Sequence, residues 1–144
     1  MTQIRVRVAG VEAAAARFDE IGSGAWKQGL LALVGGLVQR QTVTRIRSEK
    51  TSPDGAAWAA WARSTAARKK KGSGLLVDTG RLMGSISASV AGDTAVIGTN
   101  VFYGGYLQEG TSKMPARPFL GLSNANESEL FGAAQAYVVS RLGL

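Results

Sequence analysis

The chain has 144 residues, 45% of them hydrophobic and 19% charged, a composition that can bury a core without disulfide or metal staples. It contains no cysteine and no histidine, which excludes disulfides, thiol nucleophiles, imidazole acid–base catalysis and zinc sites of the usual spacing. The net charge of +7 is concentrated in one stretch, where Arg40, Arg45, Arg47, Lys50, Arg63, Arg68, Lys69, Lys70 and Lys71 are opposed only by Glu49 and Asp54. Local basicity of this kind attracts polyanions or acidic protein faces.

In chain order, Ile4, Val6 and Val8 alternate with Arg5 and Arg7, which predicts a half-buried strand over residues 3–9. Val11, Ala14, Phe18 and Ile21 recur at helical spacing, and Gly22-Ser23-Gly24 ends that short amphipathic helix. A longer helix is predicted from Ala25 to Ser48, with Trp26, Leu30, Leu33, Leu37, Val43 and Ile46 facing a core. Gly29, Gly35 and Gly36 within it each cost about 1 kcal/mol against alanine, so close packing or a bend is expected there. No basic segment leading into an apolar stretch opens the chain. The most apolar run, residues 30–38, is shorter than the ~18 residues a membrane span needs, so a soluble protein made in the cytoplasm is expected.

Residues 50–74 change character. Ser52-Pro53-Asp54-Gly55 is a turn signal, and Trp58, Trp61, the basic run Arg68–Lys71 and Gly72-Ser73-Gly74 follow. The reading is a long mobile basic loop, with a short helix near Ser64–Lys70. Leu75–Gly80 returns to the core. Ile86, Ala88 and Val90 then alternate with serines, Gly92-Asp93 supplies a turn, and Thr94–Gly98 forms the return strand of a hairpin. Tyr103–Glu109 reads as one helical turn and Thr111–Pro118 as a loop. Asn126-Glu127-Ser128-Glu129 reads as a capping box, opening a helix whose face carries Leu130, Phe131, Ala134, Tyr137, Val138 and Leu142. The expected fold is α+β: a single domain, residues 1–144, with a small antiparallel sheet (N-terminal strand plus hairpin) packed against two to three helices.

Three features invite a chemical reading. Leu75–Gly80 is an apolar run into Asp78-Thr79-Gly80, like the loop in which aspartic proteases hold two carboxylates that share a proton. Arg81 follows where that loop has a small residue, and the apolar pair before Gly98 lies too close along the chain, so a backbone-bonding turn is favoured over a homodimeric protease. Lys71-Gly72-Ser73-Gly74 lacks the spacing of a phosphate-binding loop. The basic segment, with Trp58 and Trp61 nearby, is compatible with single-stranded nucleic acid, with an acidic protein neighbour, or with a solvated loop whose Trp residues pack on the core. No catalytic, metal or cofactor-binding residue is assigned.

Taken in order, Ser52-Pro53-Asp54-Gly55 with Trp58, the basic stretch, Leu76-Val77-Asp78-Thr79-Gly80-Arg81-Leu82, Ser85-Ile86, and Gly98 before Tyr103 form a series. Gln108-Glu109-Gly110 and Pro115-Ala116-Arg117-Pro118-Phe119-Leu120-Gly121-Leu122-Ser123 complete it. The series, spanning about residues 48–123, resembles the phage virion morphogenesis, or tail completion, family of Mu-like and related tailed phages. Tyr103-Gly104-Gly105-Tyr106-Leu107-Gln108 departs from that family's usual Tyr-Ala and His-Gln pattern. The resemblance implies a non-enzymatic virion protein at the head-proximal end of the tail, where rings, often sixfold, complete the tail tube and join it to the head. Its implied partners are other tail and head–tail connector proteins, with nonspecific DNA contact in the lumen. Candidate partner or DNA contacts are Arg63, Arg68, Lys69, Lys70, Lys71, Pro115, Arg117 and Phe119. Phe119 suits either a neighbour's surface or its own core.

Overall fold

A computed structural model describes residues 2–8, 25–70 and 73–142; the helix predicted at Val11–Ile21 and Lys71 of the basic run lie outside them. The elements are β1 (Thr2–Val6), α1 (Ala25–Thr44), a π-helical turn (Arg45–Glu49), α2 (Arg63–Ala66), α3 (Arg81–Ser85), β2 (Ser87–Ala91), β3 (Thr94–Thr99), α4 (Gly104–Glu109) and α5 (Asn124–Leu142). Together they make an α+β fold with one antiparallel sheet in the order β1-β3-β2.

Helix α1 is rich in residues with high helix propensity, and it is buried on more than one side. Trp26, Leu30, Leu31, Val34, Leu37 and Val38 all enter the core, while Leu33 and Val43 are only half-buried. The reason is that α1 lies between two neighbours. The sheet approaches Gly35, where an added Cβ would meet Ala88 and Ala95 at 3.5 and 3.6 Å. Helix α5 approaches Gly29, where a Cβ would collide with the Tyr137 hydroxyl, itself donating to the Trp26 carbonyl at 3.1 Å. A helix packed on two sides loses the single apolar stripe of a surface helix. Close packing thus accounts for two of its glycines; at Gly36 the nearest atom a Cβ would meet is Arg40 Nη1 at 3.9 Å.

The hairpin forms as its alternation predicts, with Gly92 at φ 62° in the turn. Strand β1 then adds to the other edge of β3, from Thr2 opposite Thr99 to Val6 opposite Ala95. It stops short of the predicted residue 9 because its partner strand gives way there to the Gly92-Asp93 turn. Flanked on both sides, β3 is buried along its whole length. Gly98 is required at the crossing, since any Cβ would strike the Thr2 carbonyl.

Two features of α5 differ from expectation. Helix α5 starts before the predicted Asn126 cap: Ser123 Oγ accepts the Asn126 amide at 3.0 Å while Asn126 Oδ1 accepts the Ser123 amide at 3.1 Å. The reciprocal box is therefore Ser123 with Asn126, one turn earlier. Phe131, predicted on the inner face, is 71% exposed, while Leu130, Ala134, Tyr137 and Val138 do pack on the core.

Residues 50–74, expected as a mobile loop, are tied to the rest of the chain in their first part. Thr51 bridges Ala57, the Trp58 amide donates to the Lys50 carbonyl at 3.0 Å, and the Trp58 ring is buried at 5% exposure. Its indole Nε1 donates to the Pro118 carbonyl at 2.9 Å. Composition suggested a solvated loop, but one buried indole with its donor satisfied anchors the segment.

Candidate functional site

Beyond the frame of α1, α5 and the sheet, the series of motifs from 50 to 123 folds onto itself around one cleft. Its parts are held by a few long polar side chains that reach backbone carbonyls and amides. Arg45, in the π-helical turn, is 1% exposed; it donates to the carbonyls of Phe119 (2.9 Å) and Gly121 (3.1 Å) and to Asn126 Oδ1 (2.5 Å). Burial pulls its pKa down from the usual arginine range, and Glu49 one turn later counteracts that. Lys50, at φ 57°, donates to the carbonyls of Ile46 and Leu75 at 2.5 and 2.7 Å, and burial likewise lowers its pKa. Gln108 reads the backbone of the proline loop from three sides: its Oε1 accepts the amides of Phe119 and Leu120, and its Nε2 donates to the Leu120 carbonyl, all within 3.1 Å. Arg117 turns the other way, to the carbonyls of Ala59 (2.8 Å) and Ala60 (3.0 Å). Gly121, at φ 147°, lets the turn Pro53 lie against it, since a Cβ there would sit 2.5 Å from Pro53 Cγ.

The cleft these braces frame measures about 760 Å³. One wall is the segment after Trp58, from Ala60 to Lys69; the second is the turn and helix from Gly74 to Leu82; the third runs from Tyr103 to Arg117. Leu76, Val77, Leu107 and Met114 give it apolar lining, and Lys69, Arg81 and Lys113 bring cations to it. Lys69 lies 5.4 Å over the Trp61 ring and 3.7 Å from Asp78, so it spans two walls. Leu76 holds a left-handed φ of 60°, uncommon for a residue with a side chain and costly by roughly 1 kcal/mol. Backbone strain of that sort collects at functional sites.

The predicted contact residues part ways here. Arg63, Arg68, Lys70 and Pro115 are exposed, and Lys69 and Pro115 line the cleft. Arg117 is buried and used within the chain, and Phe119 is fully buried in its own core, the second of the two places open to it. Lys71 lies outside the described residues. The Asp78 loop is the turn the sequence favoured: Thr79 Oγ1 accepts the Arg81 amide at 3.3 Å and Gly80 takes φ 82°. Asp78 itself is exposed, and it is the one carboxylate among the described residues lining the cleft.

Sequence reasoning missed Arg45, Gln108 and Lys113. Arg45 did carry a signal, because it follows Gln41 by four residues on a helix face that is otherwise buried. No comparable pattern marks Gln108, whose targets are set by how the chain returns. Among the described residues no cluster of carboxylates is placed to hold a metal ion, and no helix is long and apolar enough to cross a membrane.

The chain is similar to Mu-like prophage FluMu G protein 1 of Haemophilus influenzae, 49% identical over 49 residues that cover 34% of this chain and 34% of that protein. No solved structure matches it. The family model described as phage virion morphogenesis matches residues 9–139, so the braced loops, the cleft and the helical frame alike fall within it, and the chain belongs to the phage virion morphogenesis family.

Proposed function

We propose that this chain is a structural part of a tailed-phage virion, placed at the head-proximal end of the tail. Copies form a six-membered ring there that completes the tube and joins it to head–tail connector proteins. The reading is non-enzymatic. The observation that carries it is the use of the motif side chains: Trp58, Gln108, Arg117 and Gly121 are spent on bracing loops to one another, and no reactive cluster is built from them. A surface held rigid by such braces suits a part that must present fixed contacts to neighbours in an assembly.

A free DNA-binding role is less well supported. Of the basic stretch, Arg45 and Lys50 are turned inward, to carbonyls of their own chain. Trp58 is buried and Trp61 has a cation over its face, so neither offers a bare ring for base stacking.

The test is particle assembly in cells that lack this chain, with imaging of complete particles in which it is labelled. Heads and tails should accumulate unjoined, and the label should lie at the junction. Joined, infectious particles without the chain, or a label at the far end of the tail, would overturn the proposal.

A further inference from the structure

The cleft combines apolar lining with three cations. We propose that it takes an extended segment of a neighbouring virion protein in which apolar side chains alternate with Asp or Glu. Its volume, about 760 Å³, falls within the ~300–1,000 Å³ typical of pockets that hold a ligand. Leu76, Val77, Leu107 and Met114 offer apolar contact, which a phosphodiester backbone would not use. Lys69, Arg81 and Lys113 supply cations at the same place, and Asp78 alone among the described lining residues opposes them. Arg81 and Lys113 are exposed, free to meet a carboxylate at the rim.

The contact of Lys69 with Asp78 sets how binding works. At 3.7 Å the pair is loose, and the Asp78 side chain is 62% exposed. An incoming carboxylate competes with Asp78 for Lys69 and draws that cation toward the bound segment, with Trp61 still beneath it. Asp78 therefore acts as an internal stand-in for the ligand's acid. Removing its charge should strengthen binding.

The inference rests on the structural role above only for where the partner is met. Binding is measured on the purified chain, so its failure leaves the tail position open, and joined particles without this chain would leave the binding intact. The probe is a short fluorescein-labelled peptide in which Asp and Glu alternate with Leu and Phe. The same peptide with Lys for the acids and a labelled thymidine oligonucleotide serve as comparisons. We expect the acidic peptide to bind, with affinity falling by about tenfold in the Arg81→Gln/Lys113→Gln variant. Arg40→Gln/Arg47→Gln, exposed on α1 and the π-helical turn away from the cleft, should change it by less than about twofold. Asp78→Asn should tighten binding by roughly threefold. Equal losses in the two arginine-containing variants would overturn the proposal in favour of general charge attraction. So would absent peptide binding, or binding unchanged or weakened by Asp78→Asn. Tighter binding of the oligonucleotide, lost in the cleft variant, would overturn it in favour of nucleic acid.

Discussion

The frame and the braced loops of this protein are held by different physics. In the frame, α1 is covered by the sheet and by α5, and Leu30, Leu31, Val38 and Ile97 are almost fully buried. That attraction is non-directional and spread over many atoms, so no single contact defines the arrangement. In the loops from 50 to 62 and 103 to 123, Trp58, Gln108 and Arg117 each reach backbone groups of a distant segment. Those bonds are directional, few and mutually dependent. The frame is thus expected to tolerate apolar exchange, whereas the loops should fail piece by piece when one brace is removed.

Arg45 breaks that comparison most severely, because it belongs to both regions: it leaves the end of α1 and holds the proline loop and the start of α5. Arg45→Met keeps much of the volume but takes the side-chain donor from the Phe119 and Gly121 carbonyls and leaves Asn126 Oδ1 with the Ser123 amide alone. We expect a loss of about 3 kcal/mol in urea unfolding, within the range for stripping a buried charged donor from its acceptors. A loss below about 1 kcal/mol would mean that relief of the guanidinium's own desolvation offsets the lost bonds. The two regions would then be less tightly coupled than the hydrogen bonds suggest.

Gln108→Ala should sharpen the contrast with a smaller, local effect. It removes one acceptor shared by two amides and one donor, at a half-buried site, for roughly 1–2 kcal/mol. Amide exchange at Phe119 and Leu120 should speed up while the amides of β3 keep their protection. Uniform acceleration across both regions would show that the loops open only when the whole chain unfolds.

The same contrast explains what the sequence made legible. Trp26, Leu30, Leu37 and Ile46, the hairpin and its Gly92-Asp93 turn follow from periodicity and turn chemistry, while Leu31, Val34 and Val38 were hidden because α1 is covered on a second side. The order of motifs from Ser52 to Ser123 pointed to the family through resemblance. Their convergence on one cleft was hidden, since a side chain such as Gln108 has its partners fixed by tertiary return and not by spacing. Packing of Trp58 on the core was one of the readings open in sequence, but its hydrogen bond to the Pro118 carbonyl was not, because that partner too is fixed by tertiary return. The cap of α5 was misplaced because two overlapping boxes, Ser123 with Asn126 and Asn126 with Glu129, compete in sequence. Asn126 settles the choice by accepting from Arg45, which places it inside the first turn.

The smallest expected effect lies at the frame's edge, where a charge pair supplements packing. Arg7, just beyond β1, donates to Asp93 in the β2–β3 turn at 2.6 Å, with the two side chains 69% and 60% exposed. The hydrogen bond from Arg7 holds the Asp93 carboxyl below the usual carboxylate range, helped by Thr94 and by the charge of Arg7 itself. A carboxyl whose pKa is depressed on folding contributes stability above its unfolded value and loses it as the pH falls through the folded one. The contribution should therefore be present at neutral pH and vanish in strong acid. Exposure keeps it small, and salt should shrink it further. In an NMR titration, Asp93 should protonate at a lower pH in the wild type than in Arg7→Gln, and molar salt should narrow the gap. Coincident titrations would mean that Arg7 is solvated away from the turn. The end of β1 would then be held by its ladder with β3 alone.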